Sequence, residues 1–325
     1  MGNYDSNEDV VRVFFKNKVK DVGLLIETMN NIVVEMIESG INIDKKTKVI
    51  IESNRYILAA TLSAFELRKS KSDFYGLDNS TKSFESWLAK SSTIQLFEPL
   101  YERTRKLLRD RSRELGSSID DNPEEYMRDD NINNKNTQQL IKRQSEQEEI
   151  RNQLCQIAEI TIEAYNDRIE YLRGSNKTEK ELVNLIEKFN NKLRPSLIHP
   201  LVLINKSDIA FNLAEKHKAF RILTELCTND NVGSIDRIKY YLDLFGNQFG
   251  FELFKWYVEK GKLWTLFQYE ESYGELLRNF FEQSDNGRLS WLHDLKTGSF
   301  NDASNTLINE SSKETELSPK QVSLI

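Results

Sequence analysis

Apolar residues recur at helical spacing from the start of the chain. Starting at Val11, steps of about 3.6 residues land on a continuous apolar stripe: Phe14/Phe15, Val19, Val22, Leu25, Met29, Ile32/Val33 and Met36. Ser39-Gly40 follows, and a glycine at this point is typical of the residue just after a helix end. The pattern predicts one long helix up to this glycine.

Helical patterns also fill the next part of the chain. They predict long helices over about 44–68, 83–113 and 139–173. A further helix should open at Thr178, because Glu181 three residues later gives the spacing of a capping box. Pro195 and Pro200 should end or kink that helix, since each removes an amide donor and crowds the preceding turn.

The segment 116–137 differs from its surroundings. It is rich in Ser, Asp, Asn, Glu and Lys, has almost no apolar residues and contains Pro123. A segment with so few apolar side chains has nothing to bury, so we expect a flexible polar loop or linker.

Shorter helical patterns follow residue 206. They fall near 207–217, 219–228, 234–245, 249–260, 273–283 and 301–309, with Gly, Asn and Asp at the joints. No segment alternates with the period of two expected of strands.

Together these patterns predict an all-α fold: an irregular, elongated stack of helices of the α-solenoid type, without a fixed repeat length. Its expected parts are a long-helix segment (1–115), the polar loop (116–137), long helices with proline breaks (138–206) and a short-helix segment (207–325) that continues past the end of this chain.

Charge and cysteine content narrow the possible functions. The 45 Lys and Arg against 51 Asp and Glu give a net charge of -6, so direct nucleic-acid binding is not expected. The densest basic run, from Arg103 to Arg113, is read as a solvated helix face, with a local basic patch as the alternative.

Cys155 and Cys227 lie in apolar helical patterns and are interpreted as small core residues of a reducing compartment. The apolar stretch 197–204 is too short for a membrane span.

No pattern of catalytic residues stands out. His199, His217 and His293 have no metal-ligand spacing, and no glycine-rich phosphate loop or G-x-S-x-G elbow occurs. The acidic groups Glu124-Glu125 and the run from Glu146 to Glu149 are read as solvated faces. We therefore expect no catalytic, cofactor-binding or metal-binding residue, no small-molecule ligand and no enzyme activity.

Aromatic residues concentrate between 245 and 291, and two interpretations compete. Core packing between short helices is favoured because Phe249, Leu253, Trp256 and Lys260 form one helical stripe. A partner-binding groove is the alternative, since aromatic side chains dominate binding energy at interfaces. Exposure of Trp256, Trp264 or Trp291 would favour the groove.

Several of these packing motifs resemble a known family. Residues 208–217 (DIAFNLAEKH), 220–223 (FRIL), 251–262 (FELFKWYVEKGK) and 289–295 (LSWLHDL) are similar to the nucleoporin 133 family. Val13-Phe14-Phe15 and the helix after them resemble the start of its middle helical region, and the similarity is densest from Ile209 to Leu307.

The resemblance implies a scaffold subunit of the Y-shaped coat of the nuclear pore complex, at the nuclear envelope, that supports nucleocytoplasmic transport, mRNA export and pore assembly. It implies a β-propeller before this segment and more helices after it. The 84/107-type helical nucleoporin would be the main partner, bound through distal C-terminal helices absent here, and membrane contact would belong to the propeller. The segment itself would act as an elongated spacer. The alternative is a helical-repeat adaptor that holds a partner helix or peptide in an aromatic-lined groove.

Overall fold

The structure of the chain is a computed structural model that describes residues 22–70, 86–120, 130–174, 179–283 and 287–313. All regular elements in these ranges are helices, and none of the described residues forms a strand. The predicted all-α fold, a stack of helices, is therefore confirmed. The chain divides into two compact units, Met1–Ala210 and Phe211–Ile325.

The first unit is built from long helices that are consecutive in the chain. They are α1 (Val22–Glu38), α2 (Ile43–Ser70), α3 (Ser91–Asp120), α4 (Asp130–Gly174), α5 (Glu179–Lys188), a π-helical turn (Phe189–Leu193) and α6 (Arg194–Leu203). Helix α4 is the centre of this packing, because α2, α3, α5 and α6 all lie against it. Helix α1 packs on α2 and α3.

The buried face of helix α1 coincides with only part of the predicted apolar stripe. Val33 of the stripe is buried together with Ile26 outside it, whereas Leu25, Ile32 and Met36 of the stripe are about 40% exposed. The buried face also includes Asn30, which donates to the Leu96 carbonyl and accepts from Arg103. Because α2 and α3 lie on only one side of α1, they cover the neighbouring face and leave most of the apolar stripe uncovered in the described structure.

The polar segment predicted as a loop over 116–137 is helical wherever it is described. Helix α3 continues to Asp120 and α4 begins at Asp130, so the expected loop boundaries are wrong. The two helices pack against each other. A helix that is already formed can extend into polar sequence, because each added residue gains a backbone hydrogen bond. Residues 121–129, with Pro123, lie outside the described residues.

The prolines interrupt helical geometry less than expected. Before Pro195 the backbone widens into the π-helical turn, in which the Arg194 amide donates to the Phe189 carbonyl. Pro195 occupies the first turn of α6, where a missing amide is tolerated, and Pro200 lies inside the same helix, which continues to Leu203. The buried side chains of Leu197, Ile198 and Leu201 hold this helix against its neighbours despite the lost hydrogen bond.

The short helices follow α6. They are α7 (Ser207–Lys216), α8 (Phe220–Cys227), α9 (Ile235–Phe245), α10 (Asn247–Glu259), α11 (Leu263–Phe267), α12 (Glu270–Gln283), α13 (Gly287–Lys296) and α14 (Phe300–Lys313). The sequence patterns placed six of these eight, but they missed α11 and α13. The sequence predicts the change to short helices at residue 207, and the division between the units lies inside α7.

Helix α10 is central to the second unit. Helices α8, α9, α11 and α12 pack against it, and α13 and α14 continue the stack from α12. Its aromatic side chains fill this core: Phe249 and Phe254 are completely buried, and Trp256 and Tyr257 nearly so. Gly250 lets α10 come close to α12, since a Cβ atom there would lie 2.7 Å from Leu276 Cδ2.

Candidate binding groove

An open apolar groove of about 360 Å³ lies between α11 and α13 in the second unit. Its lining residues come from both helices and from the residue that follows α11: Trp264, Phe267, Gln268, Leu292, Leu295 and Lys296. Trp264 is 81% exposed and Leu295 is 42% exposed, so a large part of this apolar surface faces solvent. Contiguous apolar surface of this kind is typical of interaction sites.

Local backbone geometry places Trp264 on the surface. Helix α10 ends at Glu259, Gly261 two residues later has a positive φ of 66°, and the Lys262 amide donates back to the Tyr257 carbonyl at 2.8 Å. This pattern is a Schellman motif, and it turns the chain directly into α11. Leu266 then anchors α11 by complete burial. Trp264 lies two residues earlier, on the opposite side of the helix, and therefore points outward.

The other wall of the groove is the second half of α13. Leu292 and Leu295 line the groove, whereas His293 between them is buried on the other side of the helix. The His293 Nε2 atom lies 2.9 Å from the Glu270 Oε2 atom of α12, and the His293 ring packs 5.8 Å from that of Phe281. These contacts fix α13 on α12 and so set the position of the groove wall.

The lining of the groove carries a positive charge. Lys296 is the one charged lining residue, and its Nζ atom donates to the Phe267 carbonyl and lies 5.8 Å from the Phe267 ring. Lys260 and Lys262, which precede Trp264, are exposed. Glu259 pairs with Arg221 at 2.7 Å, and Glu270 Oε2 lies 2.9 Å from His293 Nε2.

The structure divides the predicted aromatic cluster between core and surface. Core packing is right for Phe249, Phe254 and Trp256, which are buried. Trp291 is partly buried and Trp264 is exposed, which is the observation expected for a binding groove. The sequence missed this groove because neither of its helices was predicted. The one available signal was a large aromatic residue, Trp264, two residues after the Lys260-Gly261-Lys262 helix end.

The structure also assigns roles to the other residues noted in the sequence. Cys155 and Cys227 are free and buried, as predicted, and burial raises the pKa of their thiols to about 11 and about 12. The acidic run of α4 was predicted to be a solvated face, but its carboxylates form ion pairs. Glu146 pairs with Arg111, Glu148 with Lys206 and Glu149 with Arg55. Glu124-Glu125 lie outside the described residues.

The basic run of α3 contains both buried and exposed side chains. Arg111 is 4% exposed and pairs with Asp44 and Glu146, and Arg103 is half-buried against Asn30. Lys106, Arg109 and Arg113 are exposed. The prediction of one solvated face is therefore wrong for Arg103 and Arg111, which connect α3 to neighbouring helices.

Two other kinds of site are absent from the described ranges. Within them, His, Cys, Asp and Glu form no group of three or more that could hold a metal ion. No helix among the described residues is long and apolar enough to cross a membrane.

Comparisons with known proteins identify the relatives of the chain. The family model described as non-repetitive/WGA-negative nucleoporin C-terminal matches residues 1–324. Nucleoporin nup132 of Schizosaccharomyces pombe is 27% identical over 98% of this chain, and the chain spans 27% of that relative's length. Nuclear pore complex protein Nup133 of Danio rerio is 29% identical over 54% of this chain and 16% of its own length.

A third relative, nuclear pore complex protein Nup133 of Homo sapiens, is 29% identical over 53% of this chain and 14% of its own length. No solved structure matches the chain. The relatives confirm the resemblance to the nucleoporin 133 family that the packing motifs carry. With a match over nearly every residue, the chain belongs to the family of non-repetitive/WGA-negative nucleoporin C-terminal proteins.

Proposed function

We propose that the chain is a scaffold segment of the nuclear pore complex, in the Y-shaped coat, and that it supports nucleocytoplasmic transport. The observation that carries this proposal is the family match over residues 1–324 of an all-helical chain. Membership in a nucleoporin family points to a structural protein, and we propose that the segment has no enzyme activity. Other nucleoporins are its expected partners, and the nuclear envelope is its expected location.

The proposed mechanism is the mutual burial of helix faces. Each helix of the second unit covers apolar side chains of its neighbours, from Ile222 and Leu223 in α8 to Ala303 in α14. A stack with many small packed interfaces keeps its shape, because each helix is held by the helices next to it. Such a segment would fix the distance between binding sites elsewhere in a longer protein.

Partner identity is a separate part of the proposal. The 84/107-type helical nucleoporin is expected to bind mainly through helices that follow this segment in longer relatives, and no direct contact with nucleic acid or membrane is proposed for this segment. The net charge of -6 is unfavourable for contact with nucleic acid.

Small-angle scattering on the purified chain tests the spacer mechanism. A compact domain of this length would have a radius of gyration of about 20 Å. We expect a clearly larger value, and a value near 20 Å would contradict an elongated spacer. In cells, the protein that contains this segment, tagged with a fluorescent protein, should form a rim at the nuclear envelope. A diffuse signal would contradict the pore assignment.

A second candidate function has one observation in its favour, which is the exposure of Trp264 at 81%. The segment would then also act as an adaptor that holds a partner's helix or peptide in the groove between α11 and α13. Binding of such a ligand should quench or shift the fluorescence of Trp264. If a ligand binds equally well to Trp264→Ala, the groove is not its site.

A further inference from the structure

We propose that the groove takes an acidic segment of a partner protein, one that places a large apolar side chain against Trp264 and a carboxylate at Lys296. This inference rests on the second candidate function, because it assumes that the groove is a binding site. It adds the chemistry of the ligand, which that function leaves open.

The apolar half of the ligand follows from the groove walls. Trp264, Phe267, Leu292 and Leu295 offer carbon surface, and Gln268 is the one neutral polar side chain of the lining. A groove with so few hydrogen-bonding groups gains little from a polar anchor, because a polar group buried there would lose its water without a replacement. Leu, Ile, Met or Phe side chains match it, and the volume of about 360 Å³ admits a few of them.

The acidic half follows from the charges around the groove. Lys296 has no carboxylate partner among the described residues, since its Nζ atom contacts the neutral Phe267 carbonyl. Lys260 and Lys262 add positive charge on the α11 side. The nearby Glu259 pairs with Arg221. The groove lining thus carries one positive charge and no carboxylate, on a chain with a net charge of -6.

The difference between the positive groove and the negative net charge of the chain makes the groove selective for acidic ligands. An acidic ligand is attracted to the lysines, whereas the overall negative charge of the chain disfavours it elsewhere on the surface. A basic ligand meets the opposite pattern and is repelled at the groove. The charge pattern therefore favours an acidic segment over a neutral or basic one, while Trp264 and Leu295 supply the apolar contact.

A peptide selection tests the ligand chemistry directly. The purified chain would be the bait for a random peptide library, with counter-selection against Trp264→Ala to keep only groove-dependent binders. Because Trp264 is exposed, this variant should keep the thermal midpoint of the unchanged chain. We expect the retained peptides to combine Asp or Glu with Leu, Ile, Met or Phe at a helical spacing.

Affinities of the retained peptides provide the quantitative test. Reversing one close charge with Lys296→Glu should weaken binding about tenfold. The matched control is Lys239→Glu on the exposed face of α9, away from the groove, and it should change affinity less than twofold. Higher ionic strength should also weaken binding to the unchanged chain, because salt screens exposed charges.

The possible outcomes separate the inference from the function on which it rests. The retained peptides could be neutral or basic, depend on Trp264 for binding and show no change of affinity with Lys296→Glu. This result would overturn the acidic ligand, while the groove would remain a binding site. A selection without any Trp264-dependent peptide would overturn both. Two other occupants are tested with the same variants: Trp264-dependent self-association in sedimentation, or Trp264-dependent binding to anionic lipid vesicles, would each overturn a partner protein as the ligand.

Discussion

The side-chain amide of Asn54 on α2 donates a hydrogen bond to Gln153 Oε1 on α4 at 3.0 Å, and both residues are buried. The same Nδ2 atom donates to Thr104 Oγ1 on α3 at 3.0 Å. Gln153 in turn donates to the Ile51 carbonyl of α2. One polar cluster therefore connects the three long helices of the first unit inside an otherwise apolar core.

Removing the centre of this cluster should destabilise the first unit. Asn54→Ala takes the donor from Thr104 and Gln153 and leaves buried polar atoms without a partner, so we expect a loss of about 3 kcal/mol in the free energy of unfolding. Urea denaturation followed by circular dichroism measures it. Asn31→Ala on the exposed side of α1 is the matched control and should cost less than about 0.5 kcal/mol. Equal effects of the two changes would contradict the role of the cluster.

Arg111 should be the most important ion-pairing residue of α3. Its guanidinium contacts Asp44 at 2.8 Å and Glu146 at 2.7 Å while 4% exposed, so Arg111→Ala removes the cation that both carboxylates face. We expect a loss of about 3 to 5 kcal/mol by thermal or urea unfolding. Arg105→Ala in the same helix breaks an exposed pair with Glu102 and should cost less than about 1 kcal/mol. A larger loss for Arg105→Ala would contradict this assignment.

Replacing Ile by Ala should destabilise the chain strongly on the buried face of α1 and weakly on its exposed face. Ile26 is completely buried, and Ile26→Ala should cost about 2 to 5 kcal/mol through lost burial and a cavity. Ile32 is 44% exposed, and Ile32→Ala should cost less than about 1 kcal/mol. The measurement is again the unfolding midpoint in urea. A large loss at Ile32 would indicate that the apolar stripe is covered in solution.

The buried thiols predict a loss of stability in alkaline solution. Folding raises the pKa of Cys155 to about 11 and that of Cys227 to about 12, from an ordinary value of 9.0. The unfolded chain therefore releases these protons first, so this part of the stability is fully present below pH 9 and is lost as pH rises from 9 through the folded values. Burial also raises the pKa of Tyr101 and Tyr269, which acts in the same direction.

Thermal unfolding between pH 8 and pH 10.5 measures this loss. The expected midpoint falls steadily above pH 9, and the fall should be shallower in the double variant Cys155→Ala/Cys227→Ala. As an independent check, a thiol reagent at pH 8 should react with neither cysteine in the folded chain and with both in denaturant. Rapid reaction of the folded chain would contradict the burial of both thiols.

Local sequence was enough to determine much of this protein. Helical periodicity indicated the all-α fold, because the 3.6-residue spacing of apolar residues is a property of the chain itself. It also located long helices such as α2 and α4 and short ones such as α9, whose cap residue Ser234 accepts from the Asp236 amide. The packing motifs from Ile209 to Leu307 were sufficient to recognise the nucleoporin 133 family.

Other features depended on contacts between residues distant in sequence. Which face of α1 is buried is decided by α2 and α3, since the periodic stripe runs through Leu25, whereas packing buries its apolar neighbour Ile26. The polar residues 116–120 and 130–137 are helical in α3 and α4, which pack against each other. Trp264 and Trp256 are the same residue type eight positions apart, yet the Schellman turn at Gly261 leaves one in solvent and the other in the core. The groove is a tertiary feature because its two walls, α11 and α13, are separated along the chain by the whole of α12.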